Sequence, residues 1–155
     1  MLRSGTVSLP TQVPTRLKAS HLADDDRLTA LAGALEHPDP ELRARAVVVM
    51  AEFADKHAGH LLKVMIHDRS PAVRAVAVGA AGRTTDMELA ASLIVALADP
   101  DADVRWAAAE AVSRVTGQTV VPSGTDASID RDELERLKRW WKDKRLTDLA
   151  RHREH

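Results

Sequence analysis

The chain of 155 residues has no cysteine and no tyrosine, and only one Phe and three Trp. Without cysteine there can be no disulfide, iron–sulfur cluster, thiolate zinc site or cysteine nucleophile. Aromatics at 3% argue against a β-sandwich or barrel, whose cores favour β-branched and aromatic side chains. No apolar run approaches the roughly 20 residues that cross a bilayer. Residues 1–10 lack an apolar stretch of leader-peptide length. A soluble cytoplasmic protein with no membrane partner is therefore expected. What is abundant is alanine, at 26 positions, which suits closely packed helices. Hydrophobic residues at 45% and charged residues at 29% are enough for the core of one domain.

The net charge is −1 but unevenly spread. Residues 136–155 hold eight Lys/Arg and three Asp/Glu, a local +5, so the preceding residues carry −6. That asymmetry points to an anionic partner for the tail, to the tail docking on its own acidic body, or to an ordinary solvated helix face.

Three segments align without gaps: His37-Pro-Asp-Pro-Glu-Leu-Arg43-Ala-Arg-Ala46, Asp68-Arg-Ser-Pro-Ala-Val-Arg74-Ala-Val-Ala77 and Asp99-Pro-Asp-Ala-Asp-Val-Arg105-Trp-Ala-Ala108. Their arginines stand 31 residues apart, twice. Leu42, Val73 and Val104 share the period, as do Ala46, Ala77 and Ala108, Leu31, Leu62 and Leu93, and Leu35, Ile66 and Leu97. Each unit reads as two helices. The first carries leucines at helical spacing, as in Leu28, Leu31 and Leu35. A Pro/Asp turn follows, and a second helix begins near Glu41, Ala72 or Asp103. One such hairpin cannot bury its apolar face alone, but a stack of three makes a continuous core.

These segments, with the alanine-rich helix running to Val112, resemble the HEAT-repeat family, in its short bacterial form related to phycobilin-lyase-type repeats. The resemblance covers residues 22–117. It implies an all-α, right-handed α-solenoid of about three helical hairpins. His37 departs from the pattern where the other units have Asp68 and Asp99. The resemblance also implies that Arg43, Asp68, Arg74, Asp99 and Arg105 form a structural ladder of hydrogen-bonded ion pairs between neighbouring repeats. Phosphate binding by the arginines is the sharper alternative.

Residues 1–19 read as a flexible arm, 20–117 as the solenoid, 118–129 as a linker marked by Gly117, Pro122 and Gly124, and 151–155 as a tail. Residues 130–150 read as an amphipathic helix. Asp130 stands at its cap with Glu133 three residues on, and Ile129 and Leu134 flank the start as a hydrophobic staple. Thr116-Gly117-Gln118 followed by Trp140-Trp141 resembles an ending seen in some bacterial HEAT-repeat proteins, which implies that this helix caps the solenoid. Either tryptophan could instead be exposed and anchor a partner.

The resemblance places the second helices on the concave side. Outward positions there include Glu41, Arg45, Val48 and Glu52, then Ala75, Val76 and Gly79, then Asp103, Trp106, Ala107 and Glu110. Trp106 replaces the small Ala44 and Ala75 of the other units. It could pack on the C-terminal helix or anchor a peptide beside the space left at Ala75 and Gly79. Among the histidines, His57 and His60 lie three apart, as do His152 and His155, but zinc needs a third ligand at such spacing. The run Asp24-Asp25-Asp26 suits a helix start better than a metal site. No phosphate-binding loop, dinucleotide fingerprint or nucleophile elbow is present.

The expected function is a non-catalytic protein–protein interaction module, with no metal and no cofactor. Arg45, Val48, Glu52, Gly79, Trp106 and Glu110 would bind a partner protein, and Arg139, Trp140 and Lys142 would form a possible second surface. Nucleic-acid binding through the basic C-terminal helix is the alternative, since it mixes cations with aromatics. The resemblance leaves a bilin-lyase-like subunit as a third reading.

Overall fold

The computed structural model describes residues 24–52, 59, 62–63, 66–84 and 88–153. Six helices lie among them: α1 (Asp24–Leu35), α2 (Pro40–Ala51), α3 (Pro71–Ala81), α4 (Glu88–Ala96), α5 (Ala102–Thr116) and α6 (Arg131–Arg153). No strand occurs among the described residues; Ser123 and Ser128 form one isolated antiparallel bridge. The N-terminal arm, His21, His57, His60 and His155 fall outside the described residues, as do the side chains of Asp24, Asp25, Leu28 and His152.

The helices form an all-α solenoid in two layers. In one layer α2 packs on α3 and α3 on α5. In the other, α1 lies beside α2, and α4 beside α5 and α3. The periodic columns are the core. Leu31, Leu62 and Leu93 are fully buried, as are Ala46, Ala77 and Ala108, with Met50, Ala81 and Val112 four residues further along. Small side chains at the middle of α2, α3 and α5 let these helices approach closely.

The second helix of each unit starts one residue earlier than its sequence suggests. Pro40 and Pro71 occupy the first turn of α2 and α3, where proline's fixed φ is already helical and its missing N–H costs nothing. Asp39 caps α2 by accepting from the Glu41 N–H, and Asp101 caps α5 by accepting from Asp103 and Val104. Helix α5 ends at Gly117, whose φ of 70° is left-handed and whose N–H donates to the Ser113 carbonyl.

Residues 118–129 form a shaped loop laid against the solenoid. Val120 and Ala127 are buried, and Ser123 and Ser128 exchange backbone hydrogen bonds of 2.8 and 3.1 Å. Ala127 takes a φ of 53°, where a side chain usually prefers glycine. Its fully buried methyl accounts for alanine there.

Helix α6 packs on α4, extending the outer layer as a further first helix would. Asp130 caps it, accepting from Asp132 and Glu133 N–H groups at 2.8 and 3.3 Å. The Glu133 carboxylate pairs forward with Arg136. Leu137 is fully buried, and Ile129, Leu134 and Trp141 pack against the core. The helix runs to Arg153, three residues beyond the expected end at 150.

Candidate functional site

Two arginines tie successive turns together in the same way. Arg43 Nε and Nη2 donate to both oxygens of Asp68 at 2.9 Å, and Arg43 Nη1 donates to the His37 and Pro38 carbonyls at 2.7 and 3.0 Å. Arg74 repeats this on Asp99 at 2.9 Å for both bonds, with Nη1 on the Asp68 carbonyl at 2.9 Å. Planar guanidinium matches carboxylate in such bidentate pairs. Each acid also organises its own turn: Asp68 accepts from the Ser70 N–H and Asp99 from the Asp101 N–H.

Burial works against ionisation of Asp68, but the Arg43 hydrogen bond, the Ser70 N–H and the Arg43 and Arg69 charges outweigh it, so its carboxyl sits below the usual range. Asp99 is held down in the same way by Arg74, the Asp101 N–H and Arg105, again against its burial. The hydrogen bonds from Arg43 to Asp68 and from Arg74 to Asp99 raise the two guanidinium pKa values against the cost of burial. These groups are committed to one another. Arg43 is 3% exposed and is not presented to a phosphate.

The third rung departs from the pattern. Arg105 Nη1 donates to the Asp99 carbonyl at 2.5 Å, but its Nε (2.9 Å) and Nη2 reach the main-chain carbonyl of Asp126. The expected ion-pair ladder therefore ends as a hydrogen bond to backbone. One period beyond Asp99 stands Asp130, which serves as the α6 cap instead. Because the chain leaves the helical repeat at Gly117, a carbonyl of the 118–129 loop meets Arg105. At the other end, His37 keeps only half of the aspartate role. Its Nδ1 accepts from the Asp39 N–H at 3.0 Å, as Asp68 and Asp99 do from the second residue of their turns.

The outward positions of α2, α3 and α5 fall into rows across one exposed face, set by the 31-residue period. One row is Glu41, Ala72 and Asp103; the next is Ala44, Ala75 and Trp106; then come Arg45, Val76 and Ala107; then Val48, Gly79 and Glu110; and last Glu52, Arg83 and Arg114. Trp106 is 48% exposed and Val48 45% exposed. Between them lies a floor of small side chains, and a Cβ on Gly79 would meet nothing within 4 Å. Arg45 pairs with Glu41 at 2.5 Å and Arg114 with Glu110 at 2.5 Å. The expected residues Arg45, Val48, Glu52, Gly79, Trp106 and Glu110 thus share this face. Arg83 and Arg114, absent from the expected residues but located by the same period, complete its edge.

Trp106 stays on this face, while α6 packs on α4 in the other layer. Trp141 supplies the cap contact. Trp140 is half-buried beside it, with ring centroids 6.5 Å apart. Arg139 and Lys142 of α6 are exposed. Among the described residues, no group of three His, Asp or Glu is placed to hold a metal ion, and no helix is long and apolar enough to cross a membrane.

Stacked hairpins joined by a repeating arginine–aspartate contact define an α-solenoid repeat protein. Residues 58–150, more than half of the chain, match the family model of HEAT repeats, and the chain belongs to the HEAT-repeat family. Such repeats generally mediate protein–protein interaction and are typically non-enzymatic. No curated protein matches the chain.

Proposed function

We propose that the chain is a cytoplasmic, non-catalytic interaction module, an adaptor, scaffold or assembly factor. It holds a segment of a partner protein on the exposed face of α2, α3 and α5. The half-exposed indole of Trp106, set beside the floor of Ala44, Ala75, Val76 and Gly79, carries this reading. A large aromatic next to small residues offers both an anchor and a recess, as interface hot spots do. The flanking Arg45, Glu52 and Glu110 would fix orientation rather than supply affinity.

The test is affinity capture from extracts of the native host with wild type, Trp106→Ala and the double variant Arg139→Glu, Lys142→Glu. A protein held by wild type and by the α6 variant, but lost by Trp106→Ala, supports the reading. A protein lost only by the α6 variant overturns it.

A second reading is nucleic-acid binding by α6, favoured by exposed Arg139 and Lys142, three residues apart on one helical face. Half-burial of Trp140 limits its use for base stacking. Steeply salt-dependent binding of generic DNA or RNA, lost on Arg139→Glu with Lys142→Glu, would favour it. A bilin-lyase-like role rests on the resemblance alone and is checked by the absorbance of added bilin.

A further inference from the structure

Helix α6 is longer than its contact with the core. Trp141 is its last hydrophobic residue packed against the core cluster. Residues 142–153 continue for 12 residues, about 18 Å at 1.5 Å per residue. On this extension Leu146 is 58% and Leu149 55% exposed. At 100° per residue, Lys142 shares the leucine face, Arg145 flanks it on one side and Asp143 on the other. The extension holds five Lys/Arg against two Asp. Two large leucines on a cationic helix, pointing away from their own core, call for a cover.

The face of α2, α3 and α5 has the matching features. Its floor of Ala75, Val76 and Gly79 lacks large side chains where Leu146 and Leu149 could supply them. One edge carries Asp103 and Glu41, the latter paired with Arg45, beside the cap acids Asp39 and Asp101; the other carries Arg83 and Arg114 with Glu52, Arg114 being paired with Glu110. A helix laid across α2, α3 and α5 with its leucines on the floor would turn Arg145 to the acidic edge and Asp143 to the edge with Arg83, with Lys142 between them on the leucine face. Three helices spaced 8–10 Å apart span about 16–20 Å, the length of the extension.

We propose that the C-terminal extension of α6 from one copy seats across the exposed face of α2, α3 and α5 of a second copy. This rests on the reading that this face is the binding face, and it names the occupant. The contact is small, which makes the association weak and concentration-dependent. Because donor and acceptor are different surfaces, two copies close reciprocally or extend as a chain.

The 155-residue chain and its variants are compared by sedimentation and light scattering from roughly 1 to 300 µM, the range of a small interface. The donor variant is Leu146→Glu with Leu149→Glu. The acceptor variant is Gly79→Arg, which fills the floor with a like charge where a Cβ has open space. Helical circular dichroism identical to wild type verifies the fold of each. The proposal expects wild type to gain mass with concentration and each variant to stay monomeric. An equimolar mixture of the two regains a 1:1 heterodimer, because the acceptor variant keeps a good helix and the donor variant a good face. Wild type monomeric throughout overturns it, as does association that survives either variant or a mixture that stays monomeric. Partner capture that depends on Trp106 would still uphold the proposed function in a monomeric chain, so the two readings fail separately.

Discussion

Gly82, at the end of α3, lies so close to Ala111 of α5 that a Cβ on the glycine would stand 2.5 Å from the alanine Cβ and 2.7 Å from its Cα. Two small residues set the spacing between the second and third units. One of the clashing atoms is backbone, so relief requires the helices to separate. Gly82→Ala should lower stability by about 1–3 kcal/mol, as overpacking does, although alanine is the better helix former. Urea unfolding of the two chains checks this. An unchanged or higher midpoint would show that the units are not held at this distance.

The arginine–aspartate rungs should differ sharply in cost. Asp99→Ala leaves the Arg74 guanidinium largely buried without its acid, and losing one member of such a pair costs about 3–5 kcal/mol. Asp126→Ala should change stability by no more than about 0.5 kcal/mol, because Arg105 uses the Asp126 main-chain carbonyl. Equal losses in the two variants would contradict this assignment.

Acid should remove what Asp68 and Asp99 contribute. Both carboxyls are held below their usual range in the folded chain. The unfolded chain therefore takes up protons first, near pH 4. The stabilisation is fully present above that pH and is lost as pH falls through the folded values. Unfolding midpoints from pH 7 to pH 2 should fall more steeply below about pH 5 for wild type than for Asp68→Asn with Asp99→Asn. Parallel curves would assign the acid sensitivity to other carboxylates.

The two ends of the hydrophobic inventory should also separate. Leu137 is fully buried where α6 joins the core, so Leu137→Ala should cost about 2–5 kcal/mol. Trp106→Ala, on the exposed face, should cost under about 1 kcal/mol while altering partner binding. Comparable losses would mean that Trp106 serves the fold rather than recognition.

Much of the fold is legible in the 31-residue period because a repeat sends each aligned position to an equivalent environment. Leu31, Leu62 and Leu93 could be grouped before any helix was placed, and all three are buried. The same logic groups Trp106 with Ala44 and Ala75 on one outward row. It cannot carry past Gly117, where the repeat stops. That Arg105 would find the Asp126 carbonyl, or that Ala127 would turn left-handed and buried, depends on how an irregular loop is laid against helices distant in sequence.

Repetition in the sequence by itself determined the helical class and the stacking of the hairpins, since local spacing and a fixed period need no long-range knowledge; the pairing of Arg43 with Asp68 and of Arg74 with Asp99 was implied by the family resemblance instead, because each contact joins neighbouring units across 25 residues. The tertiary structure decided where α6 lies, which tryptophan packs against the core and which stands half-exposed, and that α6 outruns its own support. Those outcomes depend on which surfaces meet once the helices are stacked, and amphipathic spacing on one helix does not say which neighbour its apolar side will find.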